Sequence, residues 1–184
     1  MQVHFTPLID KTRCTYETYQ LKENAVKALI ATFLLLVTST TTQANSTDVF
    51  TFTKTYCFGT CPAFEVNVFA DGVISFHGQA YTQKEGVYRL PNNPELFNRI
   101  VQQLDEHSFT QFLDQYGWGE DEEESPCKEL WTDASSTVIT LQFANTKKTV
   151  YHYHGCIGFE REDELFLLEK LLFEMIGLKD YVGT

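Results

Sequence analysis

Positive charge is scarce in this sequence. Fourteen lysines and arginines stand against 25 aspartates and glutamates over 184 residues, a formal net charge of −11. An acidic surface repels phosphate backbones, which argues against nucleic acid as a partner. Long apolar runs are missing too. The longest, Ala28 to Val37, is broken only by Thr32, and a bilayer span needs about 20 apolar residues. Catalytic signatures are absent as well. There is no G-x-S-x-G, no H-E-x-x-H and no phosphate-binding glycine pattern. Nothing links the aspartates and histidines to a serine. The expectation leans away from an enzyme and assigns no cofactor. Internal repeats and low-complexity linkers are lacking, which leaves one domain of ordinary size.

What is present begins with the short apolar run. A stretch of 7–15 apolar residues suits the h-region of a secretory signal. It is followed by Thr42-Gln43-Ala44, with small residues at −3 and −1, so cleavage is expected after Ala44. Residues 1–25 are mixed and polar, unlike a short basic n-region. They are expected to be a mis-annotated upstream extension, with translation starting at Val26 and Lys27 supplying the n-region charge. Residues 26–44 would then be the signal peptide and 45–184 the domain. Residues 1–44 hold four of the basic and three of the acidic residues, leaving 10 against 22 and a net charge of −12 in the domain. The localisation expected is periplasmic or secreted, with no membrane span after cleavage.

Cleavage also removes Cys14 and leaves Cys57, Cys61, Cys127 and Cys156. Four cysteines in a small exported domain read as a disulfide framework with three possible connectivities. The local pairing, Cys57 with Cys61 and Cys127 with Cys156, is favoured, and cross-pairing stays open. In "CFGTC", Gly59 is expected to supply unusual backbone angles for a tight staple. A thiol oxidoreductase would use Cys57 and Cys61, but it would want C-x-x-C at a helix N-terminus. Here the spacing is C-x-x-x-C and a strand pattern follows.

Hydrophobic periodicity sets the elements. Phe50 and Phe52 alternate. Phe64, Val66 and Val68 share one face, Asp71-Gly72 predicts a type I′ turn, and Ile74 and Phe76 continue on the return strand. "GVYRL" reads as a further strand. Asn93 and Pro94 open a helix carrying Phe97, Ile100, Val101 and Leu104. A second hairpin covers Ile139, Leu141 and Phe143, with its turn near Asn145-Thr146. The last helix spans Glu162 to Ile176, with Leu165, Leu168 and Leu172 inward and Gly177 as its stop. Together these give an α+β class: an antiparallel sheet of hairpins with two helices packed on one face, in a single domain.

The run "CFGTCPAFEVNVFADGVISFHG" resembles the bacterial domain of unknown function 6438 family, whose signature is C-x-G-x-C-P-x-[YF] before a strand, a D-G turn and a second strand. The matching positions are Cys57, Gly59, Cys61, Pro62, Phe64, Asp71, Gly72 and Gly78. The resemblance covers about residues 48–178. It implies an exported or lipid-anchored bacterial protein and brings no established activity.

Two further features invite a site. In "HYHGC", His152, His154 and Cys156 fall at alternate positions, and imidazole with thiolate suits zinc or copper. The acidic run Glu120 to Glu124 lacks the ligand spacing of a calcium loop and reads as a solvated loop. Trp118, Trp131, Tyr116, Tyr151 and Tyr153 are expected to cover a small satellite core, and exposure would instead mark a binding surface. The leading expectation is a non-catalytic binding domain for an unknown extracytoplasmic protein or small ligand. The alternatives are a metal protein or enzyme using His152, His154 and Cys156, and the oxidoreductase.

Overall fold

A computed structural model describes residues 47–118 and 125–183. The expectations for the upstream extension, the signal peptide and the acidic run fall outside those residues.

Seven strands form one sheet in the order β4-β3-β2-β1-β7-β8-β5. The first four are β1 (Val49–Lys54), β2 (Ala63–Phe69), β3 (Ile74–Ala80) and β4 (Gly86–Leu90). β5 (Gln115–Tyr116), β7 (Ser136–Phe143) and β8 (Thr146–Tyr153) complete it. All pairs are antiparallel except β5 with β8, which run parallel. A separate two-stranded ladder pairs β6 (Glu129–Leu130) with β9 (Cys156–Ile157). The helices are α1 (Leu96–Glu106), α2 (Glu162–Ile176) and a short α3 (Lys179–Val182). The class is α+β in a single domain.

Alternation decides which face is dry. Across the sheet, Ile74 and Phe76 on β3 meet Val68 and Val66 on β2. These meet Phe50 and Phe52 on β1, and then Leu141 and Ile139 on β7. All but Leu141 are buried. Both long helices cover this face. Phe97 of α1 lies 5.9 Å from Phe143, and Phe173 of α2 lies 6.3 Å from Phe64, centroid to centroid. The opposite face carries Thr51, Asn67, Thr140 and Thr149, joined by hydroxyl and amide hydrogen bonds, and is half-exposed. A face of hydrogen-bonding side chains tolerates water, so one covered side is enough for an antiparallel sheet.

Two local expectations are corrected. The Asp71-Gly72 turn is not type I′, because only Gly72 has positive φ, at 88°. Gly72 N–H donates to the Phe69 carbonyl and Phe69 N–H donates to the Val73 carbonyl. That is a type I turn closed by a left-handed glycine, the geometry that a three-residue loop favours, here Ala70 to Gly72 between the bonded Phe69 and Val73. The type I′ turn occurs instead in the second hairpin, at Ala144 and Asn145, with φ of 49° and 64°. Gly59 is not at positive φ, and a Cβ there would meet only Cys57 Sγ at 3.8 Å. The staple therefore does not need glycine at position 59. Gly72 is needed: a Cβ would lie 2.8 Å from Pro94, where the turn packs against the entry to α1.

Helix α1 proper opens at Leu96, two residues after Pro94. Asn93 Oδ1 accepts from Glu95 N–H at 3.3 Å, so Asn93 still satisfies a donor at this end. Gly177 ends α2 at φ 76°, with Leu178 N–H donating to the Phe173 carbonyl.

Candidate functional site

On three strands and one helix, the apolar stripe that builds the core carries a polar residue toward one place. On β1 the stripe Phe50, Phe52 continues to Lys54. On β7 the stripe Leu141, Ile139 continues to Thr137. On β8, Val150 is followed by His152 and then by His154 just beyond the strand end. On α2, Glu169 sits among Leu165, Leu168 and Leu172 on the buried face. Register brings them together, because Lys54 pairs with Thr137 and Thr137 with His152.

Glu169 is the hub, with 6% of its surface exposed. One carboxylate oxygen lies 2.6 Å from His152 Nδ1. The other lies 3.0 Å from both His154 Nε2 and the Thr137 hydroxyl. Burial alone would raise the Glu169 pKa, but hydrogen bonds from both imidazoles, with their charge, overcome it and hold the carboxyl down at about 2. The carboxylate is therefore ionised across the physiological range. Burial is the main force that lowers the His154 pKa, partly opposed by Glu169. Burial likewise lowers the Lys54 pKa, again opposed by Glu169. Lys54 Nζ contacts Thr137 Oγ1 at 3.0 Å and His154 Nε2 at 2.9 Å. The His152 ring packs edge-on against Phe159 and Phe166, and its Nε2 has no hydrogen-bond partner.

This polar knot forms one end of a pocket of about 360 Å³ between α2 and the covered face of the sheet. Phe52, Phe64, Phe166 and Phe173 supply apolar walls, and Cys61 with Pro62 brings in the staple loop. The arrangement offers an apolar cleft that ends in a cation, a carboxylate and hydroxyl groups. Chemically it can hold a molecule with an apolar body and a polar head.

The disulfides join Cys57 with Cys61 and Cys127 with Cys156. This corrects the metal set, because Cys156 Sγ is committed to Cys127 and cannot serve as a thiolate ligand. His152 and His154 instead converge on Glu169, with ligand atoms all within 4.8 Å of one another. His77 lies on the opposite face of the sheet, beside Val87 and Glu65, and does not join them. Cys57 and Cys61 precede strand β2, so neither cysteine sits at a helix N-terminus. The aromatic expectation is also corrected for two residues. Trp118 and Trp131 are 52% and 63% exposed, while Tyr116 and Tyr153 are buried. Of the signature positions, Phe64 is core, Pro62 and Cys61 line the pocket, and Asp71 accepts the Val73 N–H in the turn.

Sequence reasoning missed Lys54, Thr137 and Glu169. Their signal was a charged or hydroxyl residue at a position where the apolar period predicts core.

No curated protein matches the chain. The family described as "Domain of unknown function (DUF6438)" matches residues 48–176, which span β1 to the end of α2. With the whole sheet and both long helices inside that match, the chain belongs to this family of unknown function.

Proposed function

We propose that this domain works outside the cytoplasm as a non-catalytic binding protein for a small molecule, held in the cleft between α2 and the sheet. The observation that carries the reading is the pocket of about 360 Å³, apolar along its walls and polar at one end. Its size falls in the range of natural ligand sites, roughly 300–1,000 Å³. Export is supported by the signal-like run before Ala44 and by two disulfides, which persist in oxidising compartments. The test uses the neutral fluorescent probe N-phenyl-1-naphthylamine with the oxidised protein. Saturable one-to-one binding is expected, weakened about tenfold in Phe173→Ser, which removes roughly 1–2 kcal/mol of apolar contact. An unsaturable signal would overturn the reading.

The second reading is a divalent metal held by His152, His154 and Glu169, favoured by the convergence of three ligand types on one point. Lys54 weighs against it, since its ammonium lies 2.9 Å from the His154 nitrogen that a metal would need. Dialysis against Zn²⁺ followed by metal analysis separates the two. The first reading expects no stoichiometric zinc. One zinc per chain, lost in His154→Ala, would establish the second.

A further inference from the structure

Lys54 is an uncommon kind of lysine. It ends the buried stripe of β1 and faces the space between the sheet and α2. Its neighbours in register are Phe64 on β2 and Thr137 on β7. Its ammonium has hydrogen-bond partners in the Thr137 hydroxyl and in His154 Nδ1, neither of which is an anion. Among the described residues, none of the ion pairs includes Lys54. Glu169 is the nearest acid in the knot, but Thr137 stands between them, accepting from Lys54 and donating to Glu169. Both Glu169 oxygens are already taken by the two histidines and that hydroxyl. The site therefore holds a half-buried, partly desolvated cation whose closest counter-ion is occupied elsewhere, at the end of an apolar cleft. A buried charge without a direct partner is costly, and an incoming anion would relieve that cost. Ser135, which also lines the cleft, supplies a hydroxyl for a second oxygen.

We propose that the ligand of this cleft is a small carboxylic acid with an aromatic or compact aliphatic body. Its carboxylate meets Lys54, and its apolar part lies between Phe52, Phe64, Phe166 and Phe173. The proposal rests on the small-molecule reading above and narrows it to one class. Phosphates and sulfates fit less well, because a dianion would sit beside the fixed negative charge of Glu169, and of the two lysines lining the cleft Lys170 is largely exposed and lies 4.0 Å from Glu174. Burial of the ammonium supports the same choice, since it lowers the Lys54 pKa and marks the charge as under-solvated.

The test compares 2-naphthylacetate with its neutral amide, 2-naphthylacetamide, each displacing bound N-phenyl-1-naphthylamine from the oxidised protein at neutral pH. The acid is expected to bind about ten- to a hundredfold more tightly than the amide, the worth of one desolvated charge-assisted pair. Lys54→Met should erase that preference and Lys54→Arg should keep most of it. Should Lys54→Met fail to fold, the parent comparison still decides. Equal affinity for acid and amide, with both displacing the probe, would overturn the carboxylate assignment and leave the cleft reading standing. Failure of the probe and both compounds to bind would overturn the two together.

Discussion

At the residue scale, the informative positions are those where a polar side chain stands on an apolar stripe. Glu169 is the clearest, because its environment predicts how the protein answers to acid. Its carboxyl titrates near 4.5 ordinarily and at about 2 in the fold. The unfolded chain therefore takes up that proton first. The associated stability is fully present above about pH 4.5 and is lost as pH falls toward 2. His154 acts in the same direction. Its folded pKa lies below the ordinary 6.5, so unfolding is favoured by protonation from about that pH downward. The melting temperature should thus decline as pH falls below about 6.5 and continue to fall toward 2. Glu169→Gln should melt lower at pH 7, by about 1.5–3 kcal/mol, and lose the decline between 4.5 and 2. A variant whose curve runs parallel to the parent's across that window would refute the assignment. His152 and His154 were legible in the sequence as a pair. Glu169 and Lys54 were not, because period alone cannot tell a buried ion from a solvated residue at the edge of a stripe. Only the register of β1 against β7 and the docking of α2 bring the four to one point.

At the element scale, the strong periods translate directly into structure. The hairpin of β2 and β3, the hairpin of β7 and β8, and α2 with its Gly177 stop all follow their sequence patterns. The two-residue strands β5, β6 and β9 do not, since two residues carry no alternation to read. Turn type was the other weak point. A D-G pair suggests type I′, but the loop between the bonded Phe69 and Val73 has three residues and closes another way. Ala144 and Asn145 form the true two-residue turn, and alanine pays a steric penalty at φ 49°. Left-handed geometry costs a non-glycine residue about 1–2 kcal/mol, partly offset by the extra chain entropy of glycine. Ala144→Gly should therefore raise stability by about 0.5–1 kcal/mol in urea unfolding, with an unchanged slope. Lower stability in that variant would mean that the turn is not type I′.

At the scale of the whole molecule, two crosslinks of very different span hold one domain. Cys127 and Cys156 are 29 positions apart and anchor the β6–β9 ladder to the end of the second hairpin. Cys57 and Cys61 are 4 positions apart. Chain entropy assigns about 3–4 kcal/mol to the first and about 2 kcal/mol to the second. Serine variants of each pair, compared by thermal melting, should rank in that order. A reversed order would point to a structural role for the short staple beyond its entropy, as one wall of the cleft. The central β1–β7 seam lies outside both crosslinks, since one closes wholly before β7 and the other wholly after β1. Oxidation therefore cannot bring the two halves of the sheet together. Their meeting is a search between distant segments, the slow kind of folding step. As the chain is delivered from its N-terminal end, β1 waits with one bare edge until most of the polypeptide has followed. That interval, governed by topology and indifferent to redox chemistry, is when the nascent protein is most exposed to edge-to-edge aggregation.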